Sequence, residues 1–442
     1  MKGDNYEFLT KAPVSRVIGT MSVSTIISML VVTIYNMVDT FFVGQIDTQS
    51  TAAVGLVFPL MYIMQSVAFF FGHGTGNYIS RQLGARHRSD AEKMASTGFF
   101  YSLAVGVVIM LVGLLLSEPL ALFLGATPTT LAPTLDYMNI VLLGTPFMTA
   151  QFTLNGQMRF QGNAALAMIG VATGAVMNII LDPILIFGFD MGVAGAAWAT
   201  VVGQISSFVL LLILTRYRDN ILIQWRQFTP SFALVREIVA GGTPSLMRQM
   251  LGSVATIMLN VVAARYGDAA IAAMSIVNRI ALFIMSAVIG LGQGYQPLCG
   301  FCYGAGLFPR VREGFWFCTR VGTVFLFVCA VFGFIFSDSI IALFRNDPEV
   351  IAIGSDALRW QVAVLPLGAL SMFSNMMMQT VGMTWRANVL AACRRGIFFI
   401  PLILLLPRWF GLLGVEACQA VSDVCTFLVT LPILYGVLRE LR

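Results

Sequence analysis

The chain has 442 residues, 58% of them hydrophobic and only 11% charged, with a mean hydropathy of +0.84. A soluble domain carries about 25% charged residues, so the composition excludes an ordinary soluble fold and specifies an all-α polytopic membrane protein. The net charge of +5 is too small to call for a nucleic-acid partner.

Apolar runs of about 20 residues mark spanning helices. Twelve are read in chain order, at 15–44, 52–72, 95–116, 135–156, 164–188, 193–215, 237–264, 270–299, 314–336, 356–380, 387–407 and 413–436. Lys2, Lys11 and Arg16 lead straight into the first run, which is longer than the apolar core of a signal peptide, so the first helix is expected to stay in the protein. Basic residues orient the set. The connection 73–94 carries Arg81, Arg86, Arg88 and Lys93, and 216–236 carries Arg216, Arg218, Arg226 and Arg236. The alternate connections 45–51, 117–134 and 188–192 carry no Lys or Arg. The positive-inside rule therefore places both termini in the cytoplasm, with the protein in the cell (inner) membrane.

Six of the seven cysteines fall in apolar runs. Cys299 and Cys302 form a lone C-x-x-C, and His73 and His87 are the only histidines, too few for a zinc site on that motif. The cysteines read as small apolar side chains. No Ser-His-Asp set, phosphate loop or metal cluster is visible, so an enzyme is not expected.

Shifting the chain by 220 residues lays it on itself. Ala52 and Ala53 fall on Ala272 and Ala273, Ser66 on Ser286, Gly72 and Gly74 on Gly292 and Gly294, and Gly84 and Ala85 on Gly304 and Ala305. Further along, Pro128 meets Pro348, Asp136 meets Asp356, Pro146 meets Pro366, Asn155 meets Asn375 and Gly162 meets Gly382. The chain thus reads as two bundles of six helices, 1–215 and 237–442, joined by a cytoplasmic linker at 216–236. Six is even, so the repeat is parallel, about an axis normal to the membrane, and halves that rock against each other suit alternating access.

"GHGTGNYISRQLGARHRSDA" (72–91), its partner "GQGYQPLCGFCYGAG" (292–306) and "GGTPSLMRQML" (241–251) resemble motifs of the multidrug and toxic compound extrusion (MATE) family. The resemblance runs over essentially the whole chain and is nearest to the bacterial and archaeal branch with acidic residues in the first half. It implies a V-shaped pair of bundles. It also implies export of lipophilic, cationic or amphipathic small molecules against an inward flow of H+ or Na+, with no other cofactor and no obligate protein partner beyond the lipid bilayer.

The embedded acids bear on coupling. Asp39, Asp182 and Thr200 project to a similar depth in the outer half of the membrane, given a rise of about 1.5 Å per residue. Tyr35 and Asn178 lie four residues before Asp39 and Asp182, on the same helix faces. The set offers oxygen ligands to a hard cation such as Na+, or a carboxylate pair that shares a proton. At the 220 offset Asp39 becomes Leu259, Asn178 becomes Phe398 and Asp182 becomes Leu402, so the acidic set belongs to the first half alone. The resemblance points to Asp39, Asn178, Asp182 and Thr200 as lining a cation site, with Asn155 in the same polar network though nearer the cytoplasm. Some relatives bend helix 1 at a proline. Here none lies between Pro13 and Pro59, so such a bend is not expected, whereas Pro183 removes a backbone donor from helix 5.

The second half is basic instead. Arg248, Arg279, Arg394, Arg395 and Asp423 all project to about mid-membrane, where charged groups face a cavity or pair with one another. Asp423 with Arg394 or Arg395 is the expected pair, and the set reads either as an ion-pair lattice or as a cavity attractive to anionic groups. Met37, Phe147, Phe152, Met177 and Met285 are candidate wall residues for a promiscuous apolar site. A flippase of lipid-linked precursors in the same superfamily is the alternative reading. It calls for a basic cavity in the first half as well, where acids are found. A major-facilitator carrier is disfavoured by "RQLGARHRSD", and a receptor or scaffold leaves the one-sided acid pair unexplained.

Overall fold

A computed structural model describes residues 4–217 and 220–441, so Lys2 and Arg218 lie outside the described residues. In hydrocarbon every backbone N–H and C=O must be satisfied within its own segment, and the long apolar stretches are accordingly helices. A short helix α1 (Asp4–Lys11) precedes α2 (Val14–Val43), α3 (Thr48–Gly84), α4 (Arg88–Leu115), the short α5 (Ser117–Phe123), α6 (Leu131–Phe160), α7 (Ala164–Pro183) and α8 (Gly192–Leu214). The second half repeats the order with α9 (Phe232–Ala263), α10 (Asp268–Gly304), α11 (Phe308–Ile335), the short α12 (Ser337–Phe344), α13 (Pro348–Val381), α14 (Thr384–Ala392), α15 (Phe399–Phe410) and α16 (Leu412–Glu440). A π turn at Ile184–Gly188 extends α7 directly after Pro183, and a second at Cys393–Ile397 joins α14 to α15. Helix α2 is a single unbroken helix with no proline inside it.

The helices outrun the apolar stretches. Each of α3 and α10 has 37 residues, about 55 Å, against a hydrocarbon thickness of about 30 Å. The basic connection expected at 73–94 is therefore mostly helix, with only residues 85–87 between α3 and α4. The linker is likewise shorter than expected, since α9 begins at Phe232. It is bolted to the first half: Gln224 N donates to Ser96 Oγ at 3.1 Å, Thr229 N to Thr97 Oγ1 at 3.0 Å, and Trp225 packs edge-on to Phe100. Among the described residues eleven helices are long and apolar enough to cross a membrane. The remaining long helix, α6, has 30 residues but is more polar, with Thr134, Thr145, Thr149, Thr153, Gln157 and Arg159 buried. It packs against α3, α4, α7 and α8 in the middle of the first half, so its side chains answer to protein rather than to lipid.

The repeat is visible as reciprocal contacts. A Cβ on Gly84 would strike the backbone of Phe301, and one on Gly304 the backbone of Arg81; each pair is the other shifted by 220. Gly74 likewise meets Ile238 and Gly242 on α9, and Gly294 meets Ser22 on α2. Glycine is needed at these positions because helix backbone passes where a side chain would begin. The crossings lie on the face that carries both ends of the described chain, where the two halves close on each other. Arg81 Nη2 pairs there with Glu237 at 2.9 Å and Arg81 Nη1 donates to the Thr380 carbonyl at 2.8 Å. Helix α1 spans the same seam. Asn5 donates to the Gln161 carbonyl and to Asn163 Oδ1, while Tyr6 packs edge-on to Phe301 and Arg310 donates to the Ala12 carbonyl just beyond α1. Toward the opposite face contact thins out: α2 is buried at intervals from Val14 to Ser28 and then only at Val43.

Candidate functional site

Small residues bring α7 and α8 together. A Cβ on Gly174 would lie 2.8 Å from the Gly203 carbonyl oxygen, and one on Gly203 2.7 Å from that of Gly174. This close approach lets Asn178 on α7 reach across: its Nδ2 donates to Thr200 Oγ1 at 3.3 Å and, one turn along its own helix, to Asp182 Oδ1 at 3.5 Å. Asn178, Asp182 and Thr200 are all buried. Asp39 on α2 lies within electrostatic reach of Asp182, and the hydroxyls of Tyr35 and Tyr137 lie within reach of both carboxylates.

Three buried acceptor oxygens at this place have no donor: Asp39 Oδ1, Asp182 Oδ2 and Asn178 Oδ1. Buried acceptors without donors are costly. Convergent carboxylate and amide oxygens are the ligands a hard cation takes, and a shared proton satisfies them equally well. The cluster abuts a cavity lined by Tyr35, Gln151, Phe152, Asn178, Thr200 and Gln204 among others.

The structure separates several residues that the sequence grouped. Asn155 does not line this cavity. Its Nδ2 donates to the Ala167 carbonyl at 2.9 Å, stapling α6 to the first turn of α7, and it borders a second, inner arm of the cavity. Asn375 makes the equivalent bond to Ala387 at 2.6 Å. Of the five proposed wall residues only Phe152 lines the cavity. Phe147 packs edge-on to Phe208, Met285 is core, Met37 is exposed and Met177 is half-buried away from the lining.

In the second half Arg394 Nε donates to Asp423 Oδ1 at 2.8 Å and Arg394 Nη2 to Oδ2 at 3.2 Å, with Gln419 Nε2 on Oδ1 at 2.8 Å. Arg394 stands 220 residues after Gly174, and the π turn around it makes room for the larger side chain. Ser422 Oγ donates to the Arg394 carbonyl at 2.6 Å, filling the gap that the glycine contact closes in the first half. That turn also adds a residue, so the buried positions answering to Asn178 and Asp182 are Phe399 and Ile403 rather than Phe398 and Leu402. The counterparts remain apolar.

The five charges do not form one lattice. Arg248 donates to two neutral acceptors, Asn375 Oδ1 at 2.8 Å and Ser245 Oγ at 3.3 Å. Arg395 is half-buried near Tyr62 of the first half, and Arg279 is exposed. Tyr137, Gln151, Gln204 and Arg159 border the acids or the cavity and were not singled out from sequence. The 220 offset changes all four, since Tyr137 becomes Ala357, Gln151 becomes Ser371, Arg159 becomes Gln379 and Gln204 becomes Val424.

Two pseudo-symmetric halves, closed on one face and enclosing embedded acids, define an integral membrane protein of the transporter class. The chain belongs to the MatE family, whose model matches residues 24–184 and 244–405. It is 29% identical over 439 residues to the multidrug export protein MepA of Staphylococcus aureus (strain N315), covering 98% of this chain and 96% of that one. It is 28% identical over 437 residues to MepA of Staphylococcus saprophyticus, with the same coverage. Among solved structures it superposes, with a TM-score of 0.93 and 25% identity over 99% of this chain and 98% of the other, on an outward-facing multidrug resistance MATE family transporter of the MOP superfamily.

Proposed function

We propose that the chain is a secondary active multidrug exporter that moves lipophilic, cationic or amphipathic compounds outward against an inward flow of H+ or Na+, with Asp39 and Asp182 as the coupling pair. The single observation that carries the coupling is the one-sided cluster: two carboxylates and an amide with three donorless buried oxygens, and apolar residues at the matching second-half positions. A proton or sodium ion removes the repulsion between the carboxylates and changes how α2, α7 and α8 pack, which biases the halves between two arrangements. Basic residues concentrated on the closed face support cytoplasmic termini in the cell membrane, so that the cavity opens outward.

The test is efflux of a fluorescent lipophilic cation from proteoliposomes under separately imposed proton and sodium gradients. Asp39→Asn and Asp182→Asn should stay folded and lose gradient-driven efflux. Wild-type rates in both variants would falsify the coupling role. The flippase alternative calls for several cationic groups around a pyrophosphate. Among the residues lining the two arms of the cavity there is one, Arg159.

A further inference from the structure

The linker and helix α1 stand at the same place in the repeat, since residues 224–231 lie 220 after residues 4–11. They cover different ground. The linker lies along α4, over Ser96, Thr97 and Phe100, and buries Ser96 and Thr97 completely. Helix α1 crosses the seam instead, on Phe301, Gln161 and Asn163. The face of α11 that matches the linker's bed on α4 is left uncovered. The two helices are buried alike on their inner sides, Met94 with Gly314, Ala95 with Phe315 and Gly98 with Cys318. They differ where the linker lies. Buried Ser96 and Thr97 give way to exposed Trp316 and half-buried Phe317, and half-buried Phe100 to exposed Arg320.

This face is turned to lipid. Trp316 and Arg320 begin an exposed stripe that runs on through Val324, Phe327 and Val331, one side of a membrane-spanning helix. Arg320 stands six residues past Gly314, about 9 Å into the apolar run. Side chains on a helix lean toward its N-terminus. For α11 that end is at the closed face, where Arg310 donates to the Ala12 carbonyl. Arg320 therefore carries its guanidinium back toward the headgroups on that side, with Trp316 one turn nearer the interface. Among the described residues Arg320 makes no hydrogen bond or ion pair, and neither does Arg312 one turn before Trp316, nor the exposed Glu313. A guanidinium at the edge of hydrocarbon calls for an anion.

We propose that the Trp316–Arg320 face of α11 is a binding site for an anionic phospholipid of the leaflet at the closed face, which covers α11 as the linker covers α4. The stripe runs on into the acyl region, so the occupant has chains as well as a charge. The phosphate of a zwitterionic lipid is already answered by its own ammonium, whereas that of an anionic lipid is free to take the guanidinium.

The test uses the full-length chain with Trp198, Trp225, Trp360, Trp385 and Trp409 replaced by Phe, so that Trp316 alone fluoresces. The protein is reconstituted in phosphatidylcholine vesicles with rising fractions of dibrominated phosphatidylglycerol or dibrominated phosphatidylcholine, whose bromines quench a neighbouring tryptophan. Quenching should show phosphatidylglycerol binding about fivefold more strongly, as one basic residue at a membrane surface supplies. Arg320→Gln should bring the ratio to about one. If that variant does not fold, Arg320→Phe, which copies Phe100 of the first half, takes its place. A ratio of one in the parent, or a ratio that survives the loss of Arg320, overturns the proposal. Loss of the preference on adding inorganic phosphate overturns it as well, by showing a site for the free anion. Binding is read without any gradient, so the outcome is independent of the exporter reading.

Discussion

Asn155 and Asn375 make the same bond in the two halves: each side-chain amide donates to the carbonyl twelve residues on, Ala167 at 2.9 Å and Ala387 at 2.6 Å. The second of the pair does more, because its Oδ1 also holds Arg248 at 2.8 Å.

Replacing these asparagines should therefore have unequal effects. Asn155→Ala loses one hydrogen bond, about 1 kcal/mol, whereas Asn375→Ala also leaves the half-buried Arg248 guanidinium with Ser245 as its remaining acceptor, for a total of about 3 kcal/mol. Thermal unfolding in detergent should rank Asn375→Ala well below Asn155→Ala; the opposite order would show that the Arg248 contact contributes nothing.

Asp423 is buried and holds Arg394 at two points, with Gln419 on the same carboxylate. Asp423→Ala strands a cation inside the second half and should cost about 3–5 kcal/mol, seen as lost folded yield. Removing both charges as Arg394→Met with Asp423→Leu should recover much of that loss. If Asp423→Ala folds normally and changes substrate preference instead, the pair reads substrate rather than holding structure.

A side chain at Gly304 meets the backbone of Arg81, which cannot swing aside. Gly304→Leu should push the halves apart on the closed face. Spin labels at Ala85 and Ala305 report this as a longer distance distribution in the variant, and an unchanged distribution would mean that the closure does not depend on this crossing.

Helix α1 touches both halves through Asn5 and Tyr6. A chain lacking residues 1–11 should remain folded and populate the separated arrangement more than the full chain does. The same pair of spin labels measures it. Equal distributions with and without the segment would leave α1 as a surface decoration.

Much of the architecture was legible before any coordinates. Lipid leaves the backbone one way to satisfy itself over these runs, and the shared offset of Gly84 with Gly304 and Asn155 with Asn375 exposed the repeat. Helix ends were less legible. Arg81 looks like a loop residue by charge, yet it sits on α3, because helices that leave the hydrocarbon keep going when another helix covers them. The span at α6 shows the converse: apolar content measures contact with lipid, and α6 has little of it.

For the site, sequence alone determined that Asp39 and Asp182 are embedded acids of the first half, because a carboxylate in an apolar run is conspicuous and the repeat supplies its own control. Which polar groups meet was decided by the tertiary structure. Rotation of α6 turned Asn155 onto α7 and Arg159 into the inner arm of the cavity. One extra residue in the π turn at Cys393–Ile397 moved the second-half counterparts from Phe398 and Leu402 to Phe399 and Ile403. Helix rotation and a one-residue bulge leave no period in a sequence, since they follow from how neighbouring helices pack, and a single step along a helix turns a side chain by about 100°.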